Sequence, residues 1–273
     1  MIFGEDKLAR QLAPHLQRVL VLDGSVASTR LLTDLLKGLG GRHIAAETTD
    51  EMALKACKGF EPQIIFTELK GKNLDGLAFV RALRRSTLPC RQAPVIVITS
   101  EATAQAIVAS RNAGVHEFLR KPFTTRDLLR RLEAVTLRQR DWIEAISYIG
   151  PDRRRFNSGD YQGPRKRLSD QPAMADEARI RQALMILQAA LGAIESDPAQ
   201  ALRSMQAQVV VLSNVASRTL DEKLLTATAV FARCLATASE QGVLSRQALE
   251  AAATSLWPLM PPDVDGTDVA AVA

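Results

Sequence analysis

Apolar residues recur along this chain in two different ways. Over residues 18–148 short apolar runs alternate with amphipathic stretches, whereas over 173–257 only the helical period is present. The first run, "RVLVLD" (18–23), is built from β-branched and aliphatic residues without a polar alternate, as in a strand covered on both faces. The next stretch, "SVASTRLLTDLLKGLGG", puts Leu31, Leu32, Leu35, Leu36 and Leu39 on one helical stripe and stops at Gly40-Gly41. The alternation then repeats. Strands are predicted at "HIAAE" (43–47), "QIIFTE" (63–68), "PVIVITS" (94–100) and "VHEFL" (115–119), and helices at 51–58, 75–85, 102–113 and from 124 to roughly 148. Five β-α units call for a parallel, doubly wound sheet with helices on both faces, and such sheets bind ligands at the carboxyl ends of their strands.

The second regime reads as a small antiparallel helical bundle rich in Ala, Leu and Gln. One helix carries Ile180, Leu184, Leu187, Leu191 and Ile194 on a single stripe. Another starts at Ser196 or Asp197 with Pro198 in its first turn, and buries Leu202, Met205, Val209 and Leu212. A third ends at Gly242, and a fourth begins at Ser245 and stops before Pro258. The predicted organisation is an N-terminal extension (1–17), an α/β domain (18–148), a linker (149–172), the bundle (173–257) and a mobile tail (258–273).

Composition narrows the possibilities. An apolar fraction of 47% in 273 residues supports two cores, while an aromatic fraction of 4% leaves few rings for a base-stacking platform. Cys57, Cys90 and Cys234 are far apart and form no CxxC pair, so buried free thiols are expected, with neither a disulfide framework nor a metal site. The charged N-terminus lacks the apolar centre of a signal peptide and no run is long enough for a membrane span, so a cytoplasmic location is expected. The net charge of +5 is unevenly spread: +6 over residues 1–149, +4 over 150–168 and −5 over 169–273. The bundle therefore offers no basic surface for DNA, and DNA is not an expected partner.

Candidate chemistry gathers at four strand ends: Asp23 after "VLVL", Glu68 after "IIFT", Thr99 with Ser100 after "VIVI", and Lys121-Pro122 after "EFLR". The intervals are 45, 31 and 22 residues, and "LDG" (74–76) and "KPF" (121–123) accompany them. In these residues the chain resembles, over residues 18 to about 135, the receiver (CheY-like) domain of two-component response regulators. The resemblance implies a flavodoxin-like fold and a phosphoryl-accepting site. In the family an acidic pair follows the first strand, an aspartate phosphoacceptor the third, Ser or Thr the fourth and Lys-Pro the fifth. It further implies that Phe118 holds the place of the aromatic that turns inward when the threonine moves toward the phosphoryl group.

Two positions depart from that pattern. Phosphoryl transfer depends on positioning and on charge neutralisation by Mg²⁺, which takes carboxylate and water oxygens in octahedral geometry. The acidic pair is reduced here to Asp23-Gly24, and the acceptor position holds Glu68, whose extra methylene moves the carboxylate forward by about 1.5 Å. Displacement on that scale costs roughly a hundredfold in rate. No Mg²⁺ or other cofactor is therefore expected, nor phosphorylation. Glu68 is expected to pair with Lys121 or accept from Thr99, imitating in part a phosphorylated acceptor. A relict ion-pair cluster of Glu68, Asp23 and Lys121 is the competing reading.

The linker holds six basic residues in two near-repeats, "GPDRRR" and "GPRKR". Arg153, Arg154, Arg155, Arg165, Lys166 and Arg167, with Phe156 or Tyr161, could clamp a phosphorylated ligand through guanidinium forks and stacking. The segment resembles the arginine-rich tails of some CheY-like cyclic-di-GMP effectors. A solvated linker, or a basic patch for nucleic acid or acidic lipid, fits the same residues. The bundle has no histidine, since His15, His43 and His116 all precede it, so it cannot relay phosphate through one. It has no carboxylate pair, phosphate loop or Cys/His cluster either, so no enzyme is expected. The favoured reading is a non-enzymatic, phosphorylation-independent signalling adaptor that binds a protein partner through the receiver surface or the bundle, or forms a homodimer. A cyclic-dinucleotide effector and a working phosphoacceptor in a phosphorelay remain as alternatives.

Overall fold

The computed structural model describes residues 3–153 and 172–262. Among them, 3–143 and 149–153 form one unit, and 144–148 with 172–262 form a second.

In the first unit, β1 (Arg18–Leu22), β2 (His43–Glu47), β3 (Ile64–Thr67), β6 (Val95–Thr99) and β7 (Glu117–Arg120) make one parallel sheet in the order β2-β1-β3-β6-β7. Two further strands, β4 (Lys70–Gly71) and β5 (Leu74–Asp75), form a short antiparallel ladder after β3. The helices are α1 (Phe3–Leu12), α2 (Val26–Gly38), α3 (Asp50–Phe60), α4 (Gly76–Arg85), α5 (Ala104–Asn112) and α6 (Thr125–Thr136). This is the parallel, doubly wound architecture that the alternating periodicity predicts, in the flavodoxin-like form that the resemblance implies. The two-residue strand period divides the side chains between two cores. Val19, Val21, Ile64 and Phe66 face α1, α2 and α6. Leu20, Leu22, Ile65 and Val97 face the layer of α3, α4 and α5.

Side-chain caps start these helices where the sequence supplies them: Ser25 for α2, Thr49 for α3, Asp75 for α4 and Thr103 for α5. Thr124 and Asp127 form a full capping box on α6.

The structure departs from expectation at both ends of this unit. Residues 1–17, expected as an extension, include α1 and a 3-10 turn at Ala13–Leu16, with Leu12 and Leu16 wholly buried in the core. The helix expected to reach 148 stops at Thr136, because its stripe of Leu128, Leu132 and Val135 finds Gln139 as the next member. Trp142, Ile143 and Ile149 instead form β8 (Trp142–Glu144) and β9 (Ile149–Pro151), where a helix end and a linker were expected.

Arg84 lies beneath that departure. Its side chain, 1% exposed, sits at the end of α4 and donates through Nε and Nη2 to the Gly114 carbonyl, and through Nη1 to the carbonyls of Arg91 and Ala93. The guanidinium lies 5.2 Å from the centre of the Trp142 ring. Gly114 is required there. Its φ is +87°, and a Cβ would come 2.4 Å from the Ile149 carbonyl. His116 Nδ1 receives both Arg84 Nη2 at 3.3 Å and the Val95 N–H at 3.2 Å. Both partners are obligate donors, so Nδ1 holds a lone pair and the ring is neutral. Burial first, then the charges of Arg84 and Arg140, hold the His116 pKa well below its usual 6.5.

In the second unit, α7 (Pro172–Gly192), α8 (Pro198–Thr219), α9 (Glu222–Gln241) and α10 (Arg246–Ala253) bury one core. All five predicted stripe residues are in it, four from α7 and Ile194 from the turn after it, with Met205, Leu212, Phe231 and Leu249. Asp197, rather than Ser196, caps α8 through the Gln200 N–H, Gly242 ends α9 in the left-handed region, and Ser245 caps α10. The 258–273 segment is not wholly a tail: Trp257–Leu259 form a 3-10 turn, and Leu259 and Met260 pack on the core. Residues 263–273 lie outside the described residues. One face of α8 is polar though buried. Gln200 Nε2 donates to Glu144 Oε1 and the Ala145 carbonyl, and Gln208 Nε2 to the Glu144 carbonyl.

Replacing Arg84 with Met is expected to lower stability by about 3 kcal/mol, since it leaves several buried carbonyls without donors. Urea unfolding of the full chain carrying Trp257→Phe, followed by the fluorescence of Trp142, reads this; a loss below about 1 kcal/mol would contradict the role assigned to Arg84. For His116 the unfolded chain binds the proton more tightly than the folded one. Stability is therefore full above pH 6.5 and falls as pH drops below it. A His116→Gln variant should show a flatter profile over that range.

Candidate functional site

Backbone bonds beyond the strand ends bring the predicted residues together. The N–H of Asp23 donates to the Glu47 carbonyl, that of Glu68 to Leu22, and that of Lys121 to Thr99, each continuing the ladder by one residue. The site thus lies at the carboxyl end of the sheet, beside the break in strand order between β1 and β3. The Lys121-Pro122 peptide bond is cis.

At its centre Lys121 Nζ lies 2.6 Å from Glu68 Oε2 and 3.0 Å from Asp23 Oδ2. The other carboxylate oxygens are also engaged: Glu68 Oε1 accepts the Leu69 N–H at 2.9 Å, and Asp23 Oδ1 the Ser25 N–H at 2.8 Å. The Lys121 side chain is 23% exposed and the two acids 12% and 13%. Burial works against its ammonium, but the hydrogen bonds and charges of Glu68 and Asp23 outweigh that and raise its pKa above 10.5.

Gly76 completes the frame. A Cβ at this position would stand 2.0 Å from the Glu68 carbonyl oxygen, so "LDG" lets the start of α4 touch the backbone of Glu68. That carbonyl also accepts the Thr67 hydroxyl at 2.9 Å.

The donor set does not fit magnesium. Gly24 supplies no side-chain oxygen, the Lys121 ammonium bridges the two carboxylates, and the Glu68 carbonyl is taken by Thr67.

Of the two partners expected for Glu68 the structure shows Lys121 and not Thr99, whose hydroxyl accepts the Glu101 N–H at 3.2 Å, closing a local turn. Ser100 is exposed and stands apart from the triad. Phe118 is buried, at 4% exposure, in the core on the α3–α5 side of the sheet. The aromatic is thus inward while the threonine stays local. Of the basic segment, Arg153 donates to Asn112 Oδ1 at 3.2 Å, whereas Arg154, Arg155, Arg165, Lys166 and Arg167 lie outside the described residues.

Three residues that organise the structure escaped the sequence reading: Arg84, His116 and Gln200. Arg84 follows Leu77 and Val80 on the apolar stripe of α4, and Gln200, Ser204 and Gln208 recur every four residues on α8. A polar residue in phase with a buried face was the available signal.

Residues 19–133 match the family described as "Response regulator receiver domain". The chain is 26% identical over 118 residues to a protein named "Probable chemotaxis protein CheY" from Rhizobium etli, a match covering 43% of this chain and 91% of that one. It is 33% identical over 121 residues to the KDP operon transcriptional regulatory protein KdpE of Escherichia coli, covering 44% and 51%. It spans about half the length of KdpE and of the DNA-binding response regulator MtrA of Mycolicibacterium smegmatis, 51% and 57% respectively. A receiver domain structure from Methanospirillum hungatei aligns with a TM-score of 0.40 at 21% identity, covering 44% of this chain and 93% of that one.

Replacing Lys121 with Met leaves two neighbouring carboxylates without their cation and is expected to cost about 1–3 kcal/mol at neutral pH. Because the folded pKa of Lys121 is raised, its contribution is complete below pH 10.5 and is lost as pH rises through the folded value. The stability difference between wild type and variant, from urea unfolding at stepped pH, should be flat up to that pH and shrink above it.

Proposed function

Because residues 19–133 are a response regulator receiver domain, we propose that this protein is a phosphorylation-independent receiver in two-component signalling, acting by protein–protein contact. The observation that carries the reading is the Lys121 ammonium held by Glu68 at 2.6 Å and Asp23 at 3.0 Å. A permanent carboxylate takes up the lysine that would otherwise neutralise a transferred phosphoryl group, and the ligands for its magnesium are incomplete. The glutamate is a partial mimic only, for Thr99 bonds to the Glu101 N–H and not to it.

The proposed partner-binding element is the α7–α10 bundle, where Val210 on α8 and Leu225 and Val230 on α9 are exposed at 58%, 43% and 40%. DNA binding, named for MtrA, is not carried over, because residues 169–273 have a net charge of −5.

Incubation of the full chain with acetyl phosphate and Mg²⁺, followed by intact mass, should give no phosphoryl adduct. A Cβ at Gly24 would meet nothing within 4 Å, so an acid fits there. The double variant Gly24→Asp, Glu68→Asp should therefore acquire a phosphoryl group under the same conditions. An adduct on Glu68 of the wild type would overturn the reading.

A further inference from the structure

Beside the Lys121 triad a cavity of about 550 Å³ opens between α2 and the Lys121–Thr125 segment that leads into α6, a volume within the range of small-molecule sites. Its walls are apolar: Leu32 and Leu35 from α2, Phe66 and Ile98 from the sheet, and Phe123 ahead of α6. Its charged groups stand together at one end, where Asp23, Glu68 and Lys121 line it. A compartment with apolar walls and a charged end suits an amphipathic molecule, and the sign of that end decides which.

Two carboxylates against one ammonium leave a formal charge of −1. Each of the four carboxylate oxygens accepts one hydrogen bond, and each has a second lone pair. The α6 N-terminus also borders the cavity through Thr124 and Thr125 and would favour an anion. Its capping box opposes that, for the Asp127 carboxylate takes the Thr124 N–H and hydroxyl and adds a negative charge at the same place. Magnesium is a poor complement to this donor set, whereas a compact ammonium needs only oxygen acceptors and no octahedral shell.

We propose that this cavity binds a primary alkyl- or arylalkylammonium ion, with its charged head on Asp23 and Glu68 and its apolar tail between α2, the sheet and Phe123. The proposal rests on the preceding reading in one respect, that no magnesium–phosphoryl group fills the same end. The two fail separately: a phosphoryl adduct is read by mass, amine binding by heat.

The test is calorimetric titration of the full chain with n-butyl-, n-hexyl- and n-octylammonium chloride and with sodium hexanoate. Affinity should rise about fourfold per added methylene until the cavity is filled. Hexanoate should bind at least about tenfold more weakly than hexylammonium, and Glu68→Gln should lower hexylammonium affinity by a similar factor, as loss of one charged acceptor implies. Leu35→Trp should abolish binding by filling the cavity, and Ser28→Trp, at a half-buried position on its rim, serves if Leu35→Trp lowers the melting temperature. Equal affinity for hexanoate, no dependence on chain length, or full binding in a folded cavity-filling variant would overturn the proposal.

Discussion

One ammonium shared by two carboxylates governs the carboxyl end of this sheet. Lys121 reaches Asp23 at the end of β1 and Glu68 at the end of β3, and its own backbone, which follows β7, is fixed to β6 through the Thr99 carbonyl. Three strands that diverge with the twist of the sheet are thereby tied at their tips by charge-assisted hydrogen bonds, which are among the stronger polar contacts available to a protein. The geometry depends on a glycine as much as on the charges, since only Gly76 lets α4 begin against the Glu68 carbonyl. Asp23 and Glu68 are each anchored by a backbone N–H as well, so the lysine meets acceptors that are already oriented.

The opposite end of the sheet is held by a different device. There Arg84 collects the carbonyls of Gly114, Arg91 and Ala93 and stacks near Trp142, while His116 stays neutral as a double acceptor. A guanidinium can do this because its donors diverge in one plane and it keeps its charge at any ordinary pH. Both ends use a cation, half-buried Lys121 at one and buried Arg84 at the other, but its partners are carboxylates at one end and neutral backbone at the other. The carboxylate end keeps a formal charge, which a ligand can read. The backbone end keeps its positive charge out of solvent, Arg84 being 1% exposed.

Much of this was legible in the sequence, and the exceptions have physical causes. Strand and helix positions followed from the change between two- and 3.6-residue periods, and His43–Glu47 even matched to the residue. Asp23, Glu68 and Lys121 could be brought together because each ends an apolar run and a parallel sheet aligns such ends on one side. The choice between Lys121 and Thr99 as the partner of Glu68 was left open because a hydroxyl has a local competitor: the Glu101 N–H lies two residues away, and sequence spacing cannot weigh it against a carboxylate across the sheet. The α6 boundary was missed because Arg138 and Arg140 suit a helix, while Trp142 lies 5.2 Å from the guanidinium of Arg84, a partner far off in sequence. Gln200 and Gln208 look like surface residues until Glu144 is placed against them.

The Glu68 carboxylate has a consequence in time. An acyl phosphate formed on a side chain is hydrolysed at its own rate, so a receiver that carries one measures an interval and then resets. A glutamate bound to Lys121 contains no bond that water will break. Under the function proposed above, a signal passed through this surface would have no built-in clock, and its duration would be set by how long the partner stays and how long the protein survives.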